Sequence, residues 1–386
     1  MLAACPFPAP RGTPVRILRI AEEIARRGHD VDVITYHLGS DPASADYGIH
    51  RIPNVRTYQK ESPGPSYQKL LVLDPLLALK LVQLARRKRY DVVHAHHVEG
   101  LLAALPAARL LRLPIVFDAH TLLESELPFY RLGLSRAVLT RVGRLLDSRL
   151  PRLANHVVAV SEEIRSTFVG RWNVDPGRVS LIPNGVESEL FPSQDPAGPS
   201  AAPDVPAVVY AGNMASYQGV ELLLAAFAGA VRERKKMQLR IFTDGSFEPY
   251  EMLSRSLGIR DRIVIRRTTL EQLPVELSAA QVAANPRVAC DGLPQKLLNY
   301  MAAGCPIVSF EGSARHLVHE TNALVVRDGD VEAFSAAILR LVDDRDFARR
   351  LGRSAQDQVR RNMTWQHTAA SIEQVYRRVT GSVARD

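Results

Sequence analysis

The chain has 386 residues, 46% hydrophobic and 23% charged, which is too long for one core of ordinary size and suits two α/β domains. Its 49 basic residues exceed its 41 acidic ones by eight, a balance compatible with nucleic acid, anionic lipid or an acidic small substrate. No helix-turn-helix, zinc-finger or RNP-type pattern accompanies that charge, so nucleic acid is set aside, and no apolar run reaches the ~20 residues of a membrane span.

Read in chain order, short apolar segments alternate with helical ones, the pattern of parallel sheets. Residues 2–5 read as the end of a first strand, clipped short of the usual ~5–6 residues. The prolines of 6–10 and Gly12 make a loop into an amphipathic helix over 15–28, followed by a strand over 31–35. Residues 67–90 form a Leu-rich helix ending in four basic residues. That helix is either a core helix with a solvated basic end or an interfacial helix resting on anionic lipid.

Strands follow over 91–95, 114–118 and 156–160. The Pro-, Ala- and Ser-rich stretch 193–206 is the one convincing linker. Beyond it the alternation restarts with strands over 207–211, 239–243, 263–265 and 306–309. The expectation is therefore an N-terminal domain over 1–192, a linker over 193–206, a second domain over 207–363 and a closing helix from 364 onward. Cys5, Cys290 and Cys305 have no CxxC spacing, so neither a disulfide framework nor a zinc site is indicated and a reducing cytoplasm is expected. No basic-then-apolar signal segment opens the chain.

The most informative stretch is 291–299, Asp-Gly-Leu-Pro-Gln-Lys-Leu-Leu-Asn, continuing to Val308. Gly292 and Pro294 punctuate a helix start, Leu297, Leu298, Met301 and Ala302 give its apolar stripe, and Gly304 with Pro306 stop it. An acidic residue on the entry loop, free N–H groups behind it and a polar residue one turn on suit a phosphate and a sugar. The stretch resembles the Glu-x7-Glu element of retaining, family-four glycosyltransferases of the GT-B fold, with Asp291 and Asn299 in the two acidic places. Further stretches follow in the family's order. These are 11–15, 25–35, Asp91-Val-Val-His-Ala-His96, 157–161, Ile182-Pro-Asn-Gly-Val186, 210–213 and 217–227, and the final 364–378 resembles the family's crossover helix.

That resemblance implies two doubly wound, Rossmann-like domains facing a central cleft, with acceptor on the first and donor on the second. It implies sugar transfer from a nucleotide-diphosphate sugar to an acceptor hydroxyl by front-face attack, without metal or cofactor. The acceptor would be a glycan, a lipid-linked molecule or a small molecule, and the enzyme cytoplasmic or peripheral on the inner membrane face. Asp291 would hydrogen-bond the transferred sugar, and Gly12, Gly292, Leu293 and Pro294 would line the donor. Asn299 holds the place of a ribose-binding Glu and keeps one acceptor. The basic pair of most relatives is replaced by Asn213 and Gln218, so Arg287 and Lys296 are the candidates for the missing phosphate charge.

His120 sits at a strand's C-terminal end, where open α/β sheets place ligand-contacting residues, and in relatives such a His lies beside the reacting sugar. Glu124 and Glu126 are either acceptor-orienting groups or solvated charges. His94, His96 and His97 suggest metal, but no carboxylate spacing completes a site. Two other readings remain. One is a catalytically silent GT-B subunit binding a partner or membrane, favoured by the neutral Asn213, Gln218 and Asn299. The other is a nucleotide-sugar epimerase, disfavoured by the Asp291 element.

Overall fold

The computed structural model describes residues 1–9, 12–39, 45–60, 66–129, 135–191, 205–269, 272–290 and 294–381. The chain divides into two compact units, Met1–Asn184 with Trp365–Asp386, and Gly185–Thr364. The division precedes the proline-rich stretch because Val186 already belongs to the second unit, where its N–H donates to Met363 O at 3.1 Å. Of the linker expected over 193–206, residues 193–204 lie outside the described residues.

The first unit holds seven parallel strands among its described residues: β1 (Leu2–Ala3), β2 (Asp32–Thr35), β3 (Gly48–Arg51), β4 (Val93–His96), β5 (Ile115–Ala119), β6 (His156–Ala159) and β7 (Val179–Leu181). Their order is β3-β2-β1-β4-β5-β6-β7. Apolar side chains cover both faces, as a parallel sheet flanked by helices requires. One face packs Ile17, Ile20, Ala21 and Ile24 of helix Gly12–Arg26 together with Ala369, Ile372 and Val375 of helix Trp365–Thr380. Those positions recur at helical spacing, so each helix buries one stripe. The other face packs Leu77 and Leu81 of helix Asp74–Arg87 and Leu101, Ala104 and Ala108 of helix His97–Leu111.

The second unit holds β8 (Ala207–Ala211), β9 (Gln238–Phe242), β10 (Ile263–Arg266), β11 (Val282–Asn285), β12 (Ile307–Phe310) and β13 (Leu324–Val326), all parallel, in the order β10-β9-β8-β11-β12-β13. Along β8, Val208 and Tyr210 enter one core while Val209 and Ala211 enter the other, the period-two alternation of a strand buried on both sides. In both sheets the order reverses beside the first strand, between β1 and β4 and between β8 and β11. Ligands of such sheets bind outside the carboxyl ends of the strands at those points.

Two expected helices differ in extent. The helix expected over 15–28 runs from Gly12 to Arg26, because Gly12 takes a left-handed φ of +43° that turns the loop straight into it. The helix expected over 67–90 is a π-helical turn, Lys69–Leu73, followed by an α-helix that ends at Arg87. Its basic end is not wholly solvated: Lys88 is extended, and its Nζ donates to Asp30 and Asp32 at 2.7 Å each.

Candidate active site

The carboxyl ends of β8 and β11 gather the polar residues of the second unit. Lys296 stands on the first turn of helix Gln295–Ala302, whose stripe of Leu297, Leu298 and Met301 anchors it in the core. That anchoring holds the lysine stem inward. Its Nζ donates to Gln218 Oε1 at 2.5 Å and lies 4.6 Å from the Tyr210 ring centroid. Among the described residues no carboxylate pairs with it. Burial, and then the positive charge of Arg287, push the Lys296 ammonium down to about 7.

Arg287, on the loop after β11, donates from Nε to Ala289 O at 2.5 Å and lies 5.0 Å from the Tyr217 ring. Tyr217 Oη in turn accepts from Asn213 Nδ2 at 3.1 Å. Gly219 closes this rim. It holds φ +70°, and a Cβ there would sit 2.2 Å from Pro286 O, so only glycine lets the two loops approach. Asn213, Gln218, Arg287 and Lys296 are thus brought together, with Gln218 buried and Asn213 exposed. Pro294 caps the helix start, its carbonyl accepting from Leu297 N at 2.9 Å, and Asn299 lies one turn on, half-buried. Asp291, Gly292 and Leu293 lie outside the described residues.

The carboxyl ends of β1, β4 and β5 gather histidines in the first unit. The register that pairs His96 with Asp118 sets a carboxylate beside the His94 and His96 rings. Asp118 Oδ2 accepts from Arg16 Nε at 3.0 Å and lies 3.3 Å from His94 Nε2 and 3.6 Å from His96 Nδ1. The expectation that no carboxylate accompanies these histidines is therefore corrected. Asp118 comes from the neighbouring strand, twenty-odd residues away, which no local spacing reveals. His94, His96 and Asp118 stand close enough to hold an ion, but Arg16 already supplies the positive partner of the carboxylate. The same guanidinium donates to Asn184 Oδ1 at 3.0 Å and Ile182 O at 2.9 Å.

All four groups are buried, so the pair is dry. Burial works to raise Asp118, but the Arg16 guanidinium holds it well below the usual carboxylate range. Burial lowers His94, His96 and His120, leaving neutral imidazoles. His120 Nε2 lies 3.3 Å from His96 Nδ1 and His120 Nδ1 lies 3.3 Å from Thr13 Oγ1, which is 2.7 Å from His97 Nε2. The His97 ring stacks on His120 at 4.5 Å, with a left-handed φ of 61° that a non-glycine residue adopts only under tertiary constraint. Gly12 is next to Thr13 on the same helix start. Glu124 is not free for an acceptor: Arg171 approaches it at 2.9 Å and Arg144 at 2.6 Å. Glu126 instead accepts from the Thr121 hydroxyl at 2.5 Å.

Thr13, Arg16 and Tyr217 were not legible as site residues from the sequence, whereas His97 was singled out there only as a possible metal ligand. The one available signal for the three was position, since they follow strand ends at the two switch points.

Residues 10–190 match the family described as Glycosyltransferase Family 4, and residues 205–344 match Glycosyl transferases group 1. A D-inositol 3-phosphate glycosyltransferase of Corynebacterium diphtheriae is 26% identical over 388 residues, covering 95% of this chain and 89% of the relative. The fold is that of sucrose-phosphate synthase from Thermosynechococcus elongatus, with a TM-score of 0.76 at 21% identity and 99% coverage of both chains. It is also that of Anabaena HepE in complex with UDP, with a TM-score of 0.73 at 17% identity, covering 97% of this chain and 98% of that one. Motif order, paired parallel sheets and these matches agree: the chain belongs to the family-four glycosyltransferases of the GT-B fold.

Proposed function

We propose that the chain is a retaining glycosyltransferase that binds a nucleoside diphosphate sugar on its second unit and an acceptor hydroxyl on its first. One observation carries the donor assignment. Lys296 is a mostly buried ammonium with an amide oxygen as partner and, among the described residues, no carboxylate. A cation kept dry without an internal anion is poised for an anion from solution. In this reading Lys296, with Arg287 beside it, takes the diphosphate. The charge most relatives carry at the places of Asn213 and Gln218 has moved to the helix, and Gln218 orients it. HepE, a structural neighbour, holds UDP, which makes UDP the first nucleotide to try.

Asp291 with Gly292, Leu293 and Pro294 would hold the transferred sugar, Asn299 the ribose, and Gly12 the loop facing the donor. Neutral His120 would stand beside the sugar as hydrogen-bond partner. The bond from the anomeric carbon to the diphosphate breaks as the bond to the acceptor oxygen forms on the same face. The acceptor's proton passes to the departing diphosphate, whose charge Lys296 and Arg287 would meet. The exposed Tyr67, Leu70 and Leu71, with Lys80, Arg86 and Arg87 farther along the chain, suit an anionic membrane surface that would present a lipid-linked acceptor.

Calorimetric titration tests the donor site. Lys296→Ala or Arg287→Ala should weaken UDP binding by ~1.5–3 kcal/mol, the scale of a charge-assisted hydrogen bond, and leave uridine binding unchanged. Asp291→Ala should abolish transfer at unaltered thermal stability. If both basic variants bind UDP like the parent, the silent-subunit reading replaces this one.

A further inference from the structure

The loop that carries Arg287 is held residue by residue, and a buried hydroxyl sits at its centre. β11 ends at Asn285, β12 carries Ser309, and Ser313 closes the short turn Glu311–Ser313 that follows β12. All three side chains are fully buried. Asn285 Nδ2 donates to Ser309 Oγ at 2.8 Å and to Ser313 Oγ at 2.7 Å. The hydroxyl protons go onward, from Ser309 to Phe310 O at 3.0 Å and from Ser313 to Arg287 O at 2.5 Å. With both protons spent on carbonyls, each serine can only accept from the amide, which fixes the amide's orientation.

Asn285 Oδ1 is then left without a donor among the described residues. A dry, unsatisfied carbonyl opposes folding, and three apolar side chains would fill these places without that cost. The network therefore serves placement more than stability. What it places is the Arg287 main chain. The carbonyls on either side are met as closely, Pro286 O by Gly219 and Val288 O by Gly312, where a Cβ on either glycine would overlap the oxygen. Cys290 N donates to Gly312 O at 3.1 Å. Held in this way, Arg287 rests its Nε on Ala289 O and its guanidinium over the Tyr217 ring. Among the described residues neither of its Nη groups meets an acceptor.

We propose that Ser313, oriented by Asn285, is a positioning residue for the donor diphosphate: it fixes the Arg287 backbone so that both Nη groups stand as a preset fork. The inference rests on the donor reading above, in which Arg287 meets the diphosphate, and adds what sets its geometry. A planar guanidinium depends on direction more than a rotatable ammonium does. The clamp accordingly belongs to Arg287 and not to Lys296, whose stem is held by helix Gln295–Ala302.

Calorimetric UDP titrations of a double-mutant cycle test it. Ser313→Ala should weaken UDP binding about five- to tenfold in the parent and less than about twofold in an Arg287→Ala background, because the clamp acts only through that side chain. Ser309→Ala removes the other branch of the same network and should bind UDP within about twofold of the parent. Asn285→Ala combined with Ser313→Ala removes both partners, strands no donor, and should unfold no earlier than Ser313→Ala while binding UDP no better. Should Ser313→Ala fail to fold, that double variant takes its place in the cycle. A second readout needs no nucleotide. In ¹⁵N-arginine-labelled protein the Arg287 Nε–H should exchange with solvent at least about tenfold faster in Ser313→Ala than in the parent. Equal losses of UDP affinity with and without Arg287, or UDP affinity and Nε–H exchange in Ser313→Ala that both match the parent, overturn the proposal. An Arg287→Ala protein that binds UDP like the parent overturns the donor role of Arg287 and the clamp's part in binding with it, so that single variant tells the two failures apart.

Discussion

Lys296 carries opposed demands: the core wants it neutral, and a diphosphate wants it charged. Unfolded lysine titrates near ~10.4, and burial brings the folded group to about 7. The folded state therefore binds fewer protons than the unfolded one, and this residue's contribution to stability is lost as pH falls through 7. Ligand binding runs the other way, because the diphosphate selects the protonated form. UDP affinity should fall by up to about tenfold per unit as pH rises above 7, and Lys296→Met should flatten that slope. A parent slope equal to the variant's, measured by titration between pH 6 and 9, would show that Lys296 does not face the phosphates. The Arg16–Asp118 pair is the opposite case, a charge pair whose members have each other. With both side chains at 1% exposure or less, Asp118→Asn or Arg16→Met should cost ~3–5 kcal/mol of stability, because the remaining charge stays buried alone. Urea unfolding monitored by far-UV circular dichroism measures that loss.

At the level of elements, the rims are built where strand ends meet helix starts, and their tolerance for change is small. Gly219 is both a left-handed residue and the point where Pro286 O approaches the loop after β8. Gly219→Ala should destabilise by ~1–3 kcal/mol from the left-handed strain, and by more if the Pro286 loop cannot yield. Because that loop leads into Arg287, UDP binding should weaken with it. A thermal midpoint and UDP affinity both matching the parent would mean that the two loops move apart without cost. Helix Gln295–Ala302 shows why a short element suffices here. Three buried apolar residues on one stripe fix its azimuth, so packing aims the Lys296 stem, one position before Leu297, and Gln218 receives its ammonium.

On the scale of the whole molecule, the first unit is discontinuous in sequence. Helix Trp365–Thr380 returns to it and lays Ala369, Ile372 and Val375 on the face already covered by helix Gly12–Arg26. Tyr376 Oη lies 2.6 Å from His94 Nδ1, which ties the last helix to the Asp118 cluster. A chain ending at Thr364 loses those contacts and exposes a strip of the first unit's core. It should lose the cooperative unfolding of the first unit while residues 185–364, expressed alone, keep their own core and bind UDP. Differential scanning calorimetry distinguishes this outcome from one in which both units melt as in the parent.

Local pattern was enough for much of this protein. Strands such as 207–211, apolar throughout and bounded by turn residues, announce buried parallel sheets because only such sheets need apolar side chains on both faces. The helix of Leu297, Leu298 and Met301 is legible for the same reason, since periodicity is a property of consecutive residues. The strand pattern also sets His120 at a strand end, and the family's acidic-loop motif brings Arg287 and Lys296 to its two flanks. What required the tertiary structure was every relation across the sheet. Asp118 meets His94 and His96 through strand register, Arg16 reaches Asp118 from a helix about a hundred residues earlier, and Lys296 finds Gln218 across three crossovers. The π-helical turn that buries Lys69 was equally invisible, because it shifts one turn of a helix whose average composition is unchanged. Burial and pairing of charge depend on which elements pack together, and that is a property of the folded chain, not of any segment of it.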